Sequence, residues 1–418
     1  MDGVQKVIPY RLERLQEILE EMVADGFVSG ASCMAMQYGR ELCYFESGYR
    51  DIAAQAPLTR DTIFRFYSMT KPVTAVAVMM LIEEGRLDLL APVYDYFPSF
   101  RDQYYMRGGE KIPVQTPVQI RHLLNMTAGI SYPGGSSDET DAQTKALVDE
   151  IIAKLHTDEA LATAEIASRI GEIPLLFEPG TRWNYGLCAD VLGAIVEKIS
   201  GMRFGEFLRK RIFEPLGMTD TGFYVPREKQ GRLAKVYDRD DASGFLRERE
   251  PDHLGVSTRM EKAPAFESGG AGLAGTIDDA ARFAAMLTAH GRAEDGTPII
   301  AEKTWEYLTS ASLTDAQRAG LVWESLPGYS YGNLMRVLVE PERAVSFGSR
   351  GEYGWDGWLG AYMMNDPADE LTLLIMNQRM NTGTTVYTRK MRNVLFSALE
   401  PVVPFHSHRQ IMEVSNEI

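Results

Sequence analysis

The stretch Asp61-Thr62-Ile63-Phe64-Arg65-Phe66-Tyr67-Ser68-Met69-Thr70-Lys71-Pro72-Val73-Thr74-Ala75 decides the fold. Val73, Val76, Ala77, Met80 and Leu81 recur at helical spacing after it, and Gly85 supplies a C-terminal stop. Pro72 fits only a first turn, because a proline deeper inside would break the helix. The helix therefore starts near Ser68. Ser68 and Lys71, three residues apart, share one face of that turn. The amine then reaches the hydroxyl, which needs a nearby base before it can attack a carbonyl. The positive end of the helix also lies where an oxyanion would develop. One Ser-x-x-Lys occurs in the 418 residues, and roughly one or two are expected by chance. Taken alone, the pair is equally consistent with an ordinary capped surface helix.

Composition narrows the classes. Hydrophobic residues make up 45% and charged residues 24%, the balance of a soluble globular protein. With 43 basic and 58 acidic residues the net charge is −15, which excludes a basic nucleic-acid footprint. Cys33, Cys43 and Cys188 are too few, and odd in number, for a disulfide framework. The first 25 residues lack the apolar core of a signal peptide. Leu12, Leu15, Ile18, Leu19, Met22 and Val23 instead form one helical stripe ending at Gly26. No apolar run approaches membrane-spanning length. The expectation is a cytoplasmic, reduced protein with neither nucleic-acid nor membrane partners.

Along the chain, Gly30–Tyr38 and Glu41–Ser47 read as strands of a hairpin around Gly39-Arg40. The middle is helical and loop-rich, with helices expected at Pro117–Asn125, Thr144–Leu155, Ala189–Ile199 and Asp278–His290. Pro133–Asp141 is a small polar loop. Pro226–His253 is charged and irregular, as a lid or a surface insertion would be. Strand-like runs return at Tyr331–Val339, Trp358–Asn365 and Leu371–Met376, and a last helix is expected over Tyr387–Leu399. This order predicts an α/β (α+β) fold. Residues 1–66 and 291–418 would build a sheet domain from both termini, and 67–290 a mostly helical domain, with the active site between them.

Several motifs are excluded. Gly270-Ala271-Gly272-Leu273-Ala274-Gly275 matches the dinucleotide pattern, but Pro264-Ala265-Phe266-Glu267-Ser268 before it is not a buried strand. There is no P-loop, and a Ser-His-Asp hydrolase is disfavoured. The six histidines are scattered; His406 and His408 are close but have no accompanying carboxylate or cysteine cluster. No metal and no cofactor is expected.

Ordered segments across most of the chain resemble the serine β-lactamase-related superfamily, nearest to class C β-lactamases and family VIII carboxylesterases. Ser68-Met69-Thr70-Lys71-Pro72-Val73-Thr74-Ala75 is similar to the first motif of that family. Ile120-Arg121-His122-Leu123-Leu124-Asn125-Met126-Thr127-Ala128-Gly129 resembles a helix-loop marker. Glu178-Pro179-Gly180-Thr181-Arg182-Trp183-Asn184-Tyr185, with Leu192-Gly193 after it, resembles the tyrosine region. Ser268-Gly269-Gly270-Ala271-Gly272-Leu273 also fits, as does Trp355-Asp356-Gly357-Trp358-Leu359-Gly360 at the third motif, with Asp366-Pro367 following.

The resemblance implies an antiparallel sheet flanked by helices plus a mostly helical domain. It implies Ser68 as acylated nucleophile, Lys71 as keeper of a proton network that helps deprotonate Ser68, and Tyr185 as general base. Tyr185 would be shifted toward phenolate by Lys71 and would then protonate the leaving alcohol. Backbone N–H groups of Ser68 and Trp358 would form the oxyanion hole. Leu187, Trp355, Asp356 and Gly357 fall where family members bind substrate.

Two departures bear on the substrate. The β-lactamases and D-Ala peptidases of the family carry Tyr-x-Asn, where the asparagine hydrogen-bonds an acyl-side amide; here the triplet is Tyr185-Gly186-Leu187. Their third motif is usually Lys-Thr-Gly or His-Thr-Gly, whose cation pairs with a substrate carboxylate; here it is Trp355-Asp356-Gly357. Losing one polar partner typically costs on the order of 1–3 kcal/mol. Both changes point to neutral, apolar acyl esters, and short acyl chains are expected because no deep long-chain tunnel can be inferred. A β-lactamase or D-Ala peptidase with unusual recognition is the nearest rival. Acyl transfer by the same nucleophile and a non-catalytic binding role follow.

Overall fold

Two runs of chain, one early and one late, build a single antiparallel sheet. The computed structural model describes residues 7–134, 139–240 and 242–400. His406, His408 and part of the Pro133–Asp141 loop lie outside the described residues. The early run supplies β1 (Gly30–Gln37), β2 (Arg40–Asp51) and β3 (Ala56–Pro57). The late run supplies β4 (Tyr329–Gly332), β5 (Met335–Leu338), β6 (Tyr353–Asp356), β7 (Tyr362–Asp366) and β8 (Leu371–Asn377). The strand order is β4-β5-β6-β7-β8-β1-β2-β3. The two runs are joined where β1 pairs with β8, Met34 opposite Leu374.

Both faces of this sheet are covered, so its central strands carry apolar residues on both sides. Ala31, Cys33 and Ala35 of β1 and Leu371, Leu373 and Ile375 of β8 face one layer. That layer is α1 (Arg14–Ala24) and the C-terminal α5 (Val386–Ser397), which contribute Leu15, Ile18, Leu19, Met391 and Leu395. Met34, Met36, Leu374 and Met376 alternate with them and face the main core. There they meet α2 (Lys71–Glu83), α3 (Cys188–Ser200) and α4 (Ile277–Thr288). Every residue of α2 from Lys71 to Leu81 is buried, so the serine helix is central and not a surface helix. The sequence placed α4 with the helical unit. Its apolar face, including Ala280, Phe283, Ala284 and Leu287, packs against β1, β7 and β8 instead.

The hairpin turn falls one residue earlier than expected. Tyr38 (φ 53°) and Gly39 (φ 69°) are both left-handed, as a two-residue type I′ turn requires. A second such turn, Asn333 (φ 49°) and Leu334 (φ 65°), divides the expected strand Tyr331–Val339 into β4 and β5. Asn333 is held there by its side-chain amide, which donates to the Tyr307 carbonyl at 2.7 Å. β6 was not anticipated, and β7 begins at Tyr362, not at Trp358.

A buried ion pair fastens α5 to the sheet. Arg392 donates to both Glu352 oxygens, at 2.7 and 2.6 Å, with both side chains essentially fully buried. Tyr329 and Tyr362 complete the network at 2.9 Å each. Glu352→Ala leaves a buried guanidinium without its counter-ion, so a loss of about 3–5 kcal/mol is expected. Urea unfolding checks this; a loss under about 1 kcal/mol would show that the pair contributes little. Among the described residues no helix is long and apolar enough to cross a membrane.

Candidate active site

Ser68 lies in a short 3-10 turn, Tyr67–Thr70, that runs directly into α2. Tyr67 before it has φ 45°, an uncommon conformation for a bulky residue. Its ring is buried edge-on against Trp358, with centroids 5.1 Å apart. The end of β6 approaches this turn closely: a Cβ on Gly357 would come within 2.1 Å of the Phe66 carbonyl oxygen. Only glycine permits that approach, which brings Trp358 to the cleft beside Ser68.

Lys71 is fully buried. Its Nζ lies 3.0 Å from Ser68 Oγ, 3.0 Å from the Tyr132 hydroxyl and 2.8 Å from the Gly270 carbonyl oxygen. Burial pushes its pKa down to about 7, against the smaller opposing pull of Asp190. The carbonyl can only accept, so the amine donates there. In the neutral form its lone pair is free to accept from the Ser68 hydroxyl.

The loop Ser268–Leu273 wraps this amine. Asp190, on α3, accepts from Ser268 Oγ at 2.5 Å and from the Gly270 N–H at 3.1 Å, aiming the Gly270 carbonyl. Thr74 on the serine helix donates to the Gly269 carbonyl at 2.6 Å. A Cβ on Gly269 would meet the Ala189 carbonyl at 2.3 Å, so the glycines that mimic a dinucleotide motif serve close packing here.

Tyr185 stands across the cleft. Its hydroxyl accepts from the Trp355 indole N–H at 2.9 Å. Burial raises its pKa, and hydrogen bonds with Ser68 and Trp355 oppose the rise only in part. The Lys71 amine lies 4.7 Å from the centre of the Tyr185 ring. Burial thus pushes the Tyr185 phenol up and the Lys71 amine down, the opposite of a phenolate induced by Lys71.

A cleft of about 290 Å³ opens over these groups. Ser68, Tyr185, Trp355, Asp356, Gly357 and Trp358 all line it. Leu187 does not. It is buried at the start of α3 and borders a separate small cavity with Ile130 and Ser131, so its predicted contact with substrate is corrected. Asp356 faces the cleft and accepts from Thr384 Oγ1 at 2.5 Å. Tyr132, Asp190 and Trp323 were missed by sequence reading. Tyr132 sits three residues beyond the Ile120–Gly129 marker, Asp190 looks like an ordinary first-turn acid of α3, and Trp323 lies in no motif.

A nucleophile, a buried amine and a tyrosine converging over an antiparallel sheet define a serine hydrolase of the β-lactamase-like class. The beta-lactamase family profile matches residues 15–396, and the chain belongs to that family. It is 31% identical over 383 residues to Protein Rv1367c of Mycobacterium tuberculosis (strain ATCC 25618 / H37Rv), covering 88% of this chain and 90% of the relative. It is 30% identical over 389 residues to Esterase EstB of Burkholderia gladioli, covering 88% and 91%. Among solved structures it is similar to EstCE1, described as a hydrolase with promiscuous acyltransferase activity. That match has a TM-score of 0.77 and 25% identity, covering 93% of this chain and 99% of that one.

Proposed function

We propose that this enzyme hydrolyses neutral carboxylic esters with short acyl groups through an acyl-enzyme on Ser68. The observation that carries the substrate class is the cleft wall: among the described residues none that lines it is Lys or Arg, and one, Asp356, is a carboxylate. A substrate bearing a carboxylate would find no partner there and one repulsive neighbour. The similarity to EstB supports the same reading.

The proposed cycle uses the groups already placed. Ser68 Oγ attacks the ester carbonyl carbon and passes its proton to neutral Lys71. The Ser68 and Trp358 N–H groups stabilise the oxyanion. Tyr185, protonated, gives its proton to the leaving alkoxide and regains one from Lys71. Water then enters, passes a proton to Lys71 and bonds to the acyl carbon; the Ser68 Oγ–acyl bond breaks, Ser68 Oγ takes that proton back, and the acid leaves. An alcohol in place of water would give acyl transfer, a second reading favoured by the similarity to EstCE1.

The test compares p-nitrophenyl butyrate with a chromogenic cephalosporin. The missing cation, with Asp356 in the cleft wall, should favour the ester by about tenfold to a hundredfold in kcat/KM. A cephalosporin rate equal to or above the ester rate would replace this reading with a β-lactamase.

A further inference from the structure

We propose that the aromatic wall of Trp323 and Trp355 is the subsite for the alcohol part of the ester, and that it selects uncharged, ring-bearing alcohols. The proposal rests on the esterase reading above and deepens it.

Trp183, Tyr185, Trp323, Tyr331 and Trp355 pack ring against ring beside the nucleophile, with Tyr132 also packed on Tyr185. Trp323 stands edge-on to Tyr185, with centroids 5.0 Å apart and planes at 78°. It is edge-on to Trp183 as well, at 5.6 Å and 83°. Trp355 lies 5.5 Å from Tyr185 and 6.1 Å from Trp323. Tyr331 braces Trp355 from behind, edge-on at 5.1 Å. Trp183, Tyr331 and Trp355 are buried, whereas Trp323 is 40% exposed and Val322 before it 79%. The cluster therefore ends in an exposed indole at the mouth of the cleft, and both tryptophans line it. Tryptophan offers a large, stiff face for a second ring at small conformational cost.

The side of the scissile bond follows from chemistry. Tyr185 is the proton donor to the leaving oxygen in the cycle above, so the atoms bonded to that oxygen lie next to the Tyr185 ring. Those atoms are the alcohol. Trp323 and Trp355 both pack on that ring. Trp358, whose N–H is given to the oxyanion in the cycle above, also lines the cleft, with its indole stacked on His253 at 4.0 Å and 20°. Ser325, two residues from Trp323, is an uncharged lining residue, and among the described residues the one charged side chain lining the cleft is the Asp356 carboxylate. Arg389 is tied to Glu324 at 3.4 Å and is not among the lining residues. A ring without a carboxylate suits such a wall.

The experiment uses esters whose leaving alcohols are chemically matched. Benzyl acetate and ethyl acetate differ chiefly in the ring, and ethyl phenylacetate moves the ring to the acyl side. The wild-type enzyme should prefer benzyl to ethyl acetate by about tenfold to a hundredfold in kcat/KM. In Trp323→Ala that ratio should collapse toward unity, and Trp323→Phe should restore most of it. The ethyl phenylacetate to ethyl acetate ratio should follow neither change. A benzyl preference that survives Trp323→Ala would overturn the proposal. So would a Trp323 dependence that appears with ethyl phenylacetate in place of benzyl acetate. Absence of turnover of every ester by the wild type would sink the esterase reading itself, which separates the two failures.

Discussion

Ser68→Ala should lower ester kcat/KM by about 10⁵–10⁶, to the residual level that binding and oxyanion stabilisation alone sustain. The side chain is half-buried and small, and its hydroxyl contacts Lys71 at 3.0 Å. Its removal deletes the attacking atom with almost no change in packing. Circular dichroism and the unfolding midpoint should match the wild type. A variant that keeps more than a few per cent of the activity would mean that another group attacks the ester, or that water does so directly.

Lys71→Met should cost about 10²–10⁴ in kcat/KM, the contribution of a positioned general base. Methionine keeps the length and apolar fit of the stem in a fully buried site. The pH profile gives the sharper result. Burial lowers the Lys71 pKa to about 7, so the base form predominates above that pH. Wild-type kcat/KM should rise about tenfold per unit below pH 7 and level off above it. That limb should vanish in Lys71→Met. The same shift has a stability consequence of defined sign. Below pH 7 the folded protein must bury the charged amine, and folding carries the full penalty. Between pH 7 and the ordinary lysine value of 10.5 the unfolded chain binds the extra proton. Stability from this group therefore rises with pH across that window. The methionine variant should gain most over the wild type at acid pH, as measured by the unfolding midpoint across pH.

The sequence was most legible where one local rule left little choice. Pro72 permits only a first-turn position, so the start of the serine helix and the Ser68–Lys71 contact follow from it. The helical stripe of α1 and the spacing of α3 are likewise local patterns. The centrality of α2 was not legible, because a helix buried on every side loses the amphipathic contrast that marks a face. The Asn333-Leu334 turn was missed because leucine seldom takes a left-handed conformation; it is held by Asn333 and by the Leu334 N–H donating to Leu124 at 2.7 Å. At the site, Tyr132 and Asp190 act on Lys71 across 61 residues of chain and through the Gly270 carbonyl. No spacing rule reaches such partners. The electrostatics inverted one expectation for the same reason. The pKa values of Lys71 and Tyr185 are set mainly by how completely the fold dries the site, and only the assembled core decides that.

The central claim is that Ser68 carries the acyl group. Intact-mass spectrometry of enzyme mixed rapidly with p-nitrophenyl butyrate and quenched in acid tests it directly. The account predicts a species heavier by one butyryl group, mapped by digestion to the peptide containing Ser68 and absent from Ser68→Ala. Steady ester turnover with no such adduct on quenching, or an adduct mapped to any other residue, would contradict it.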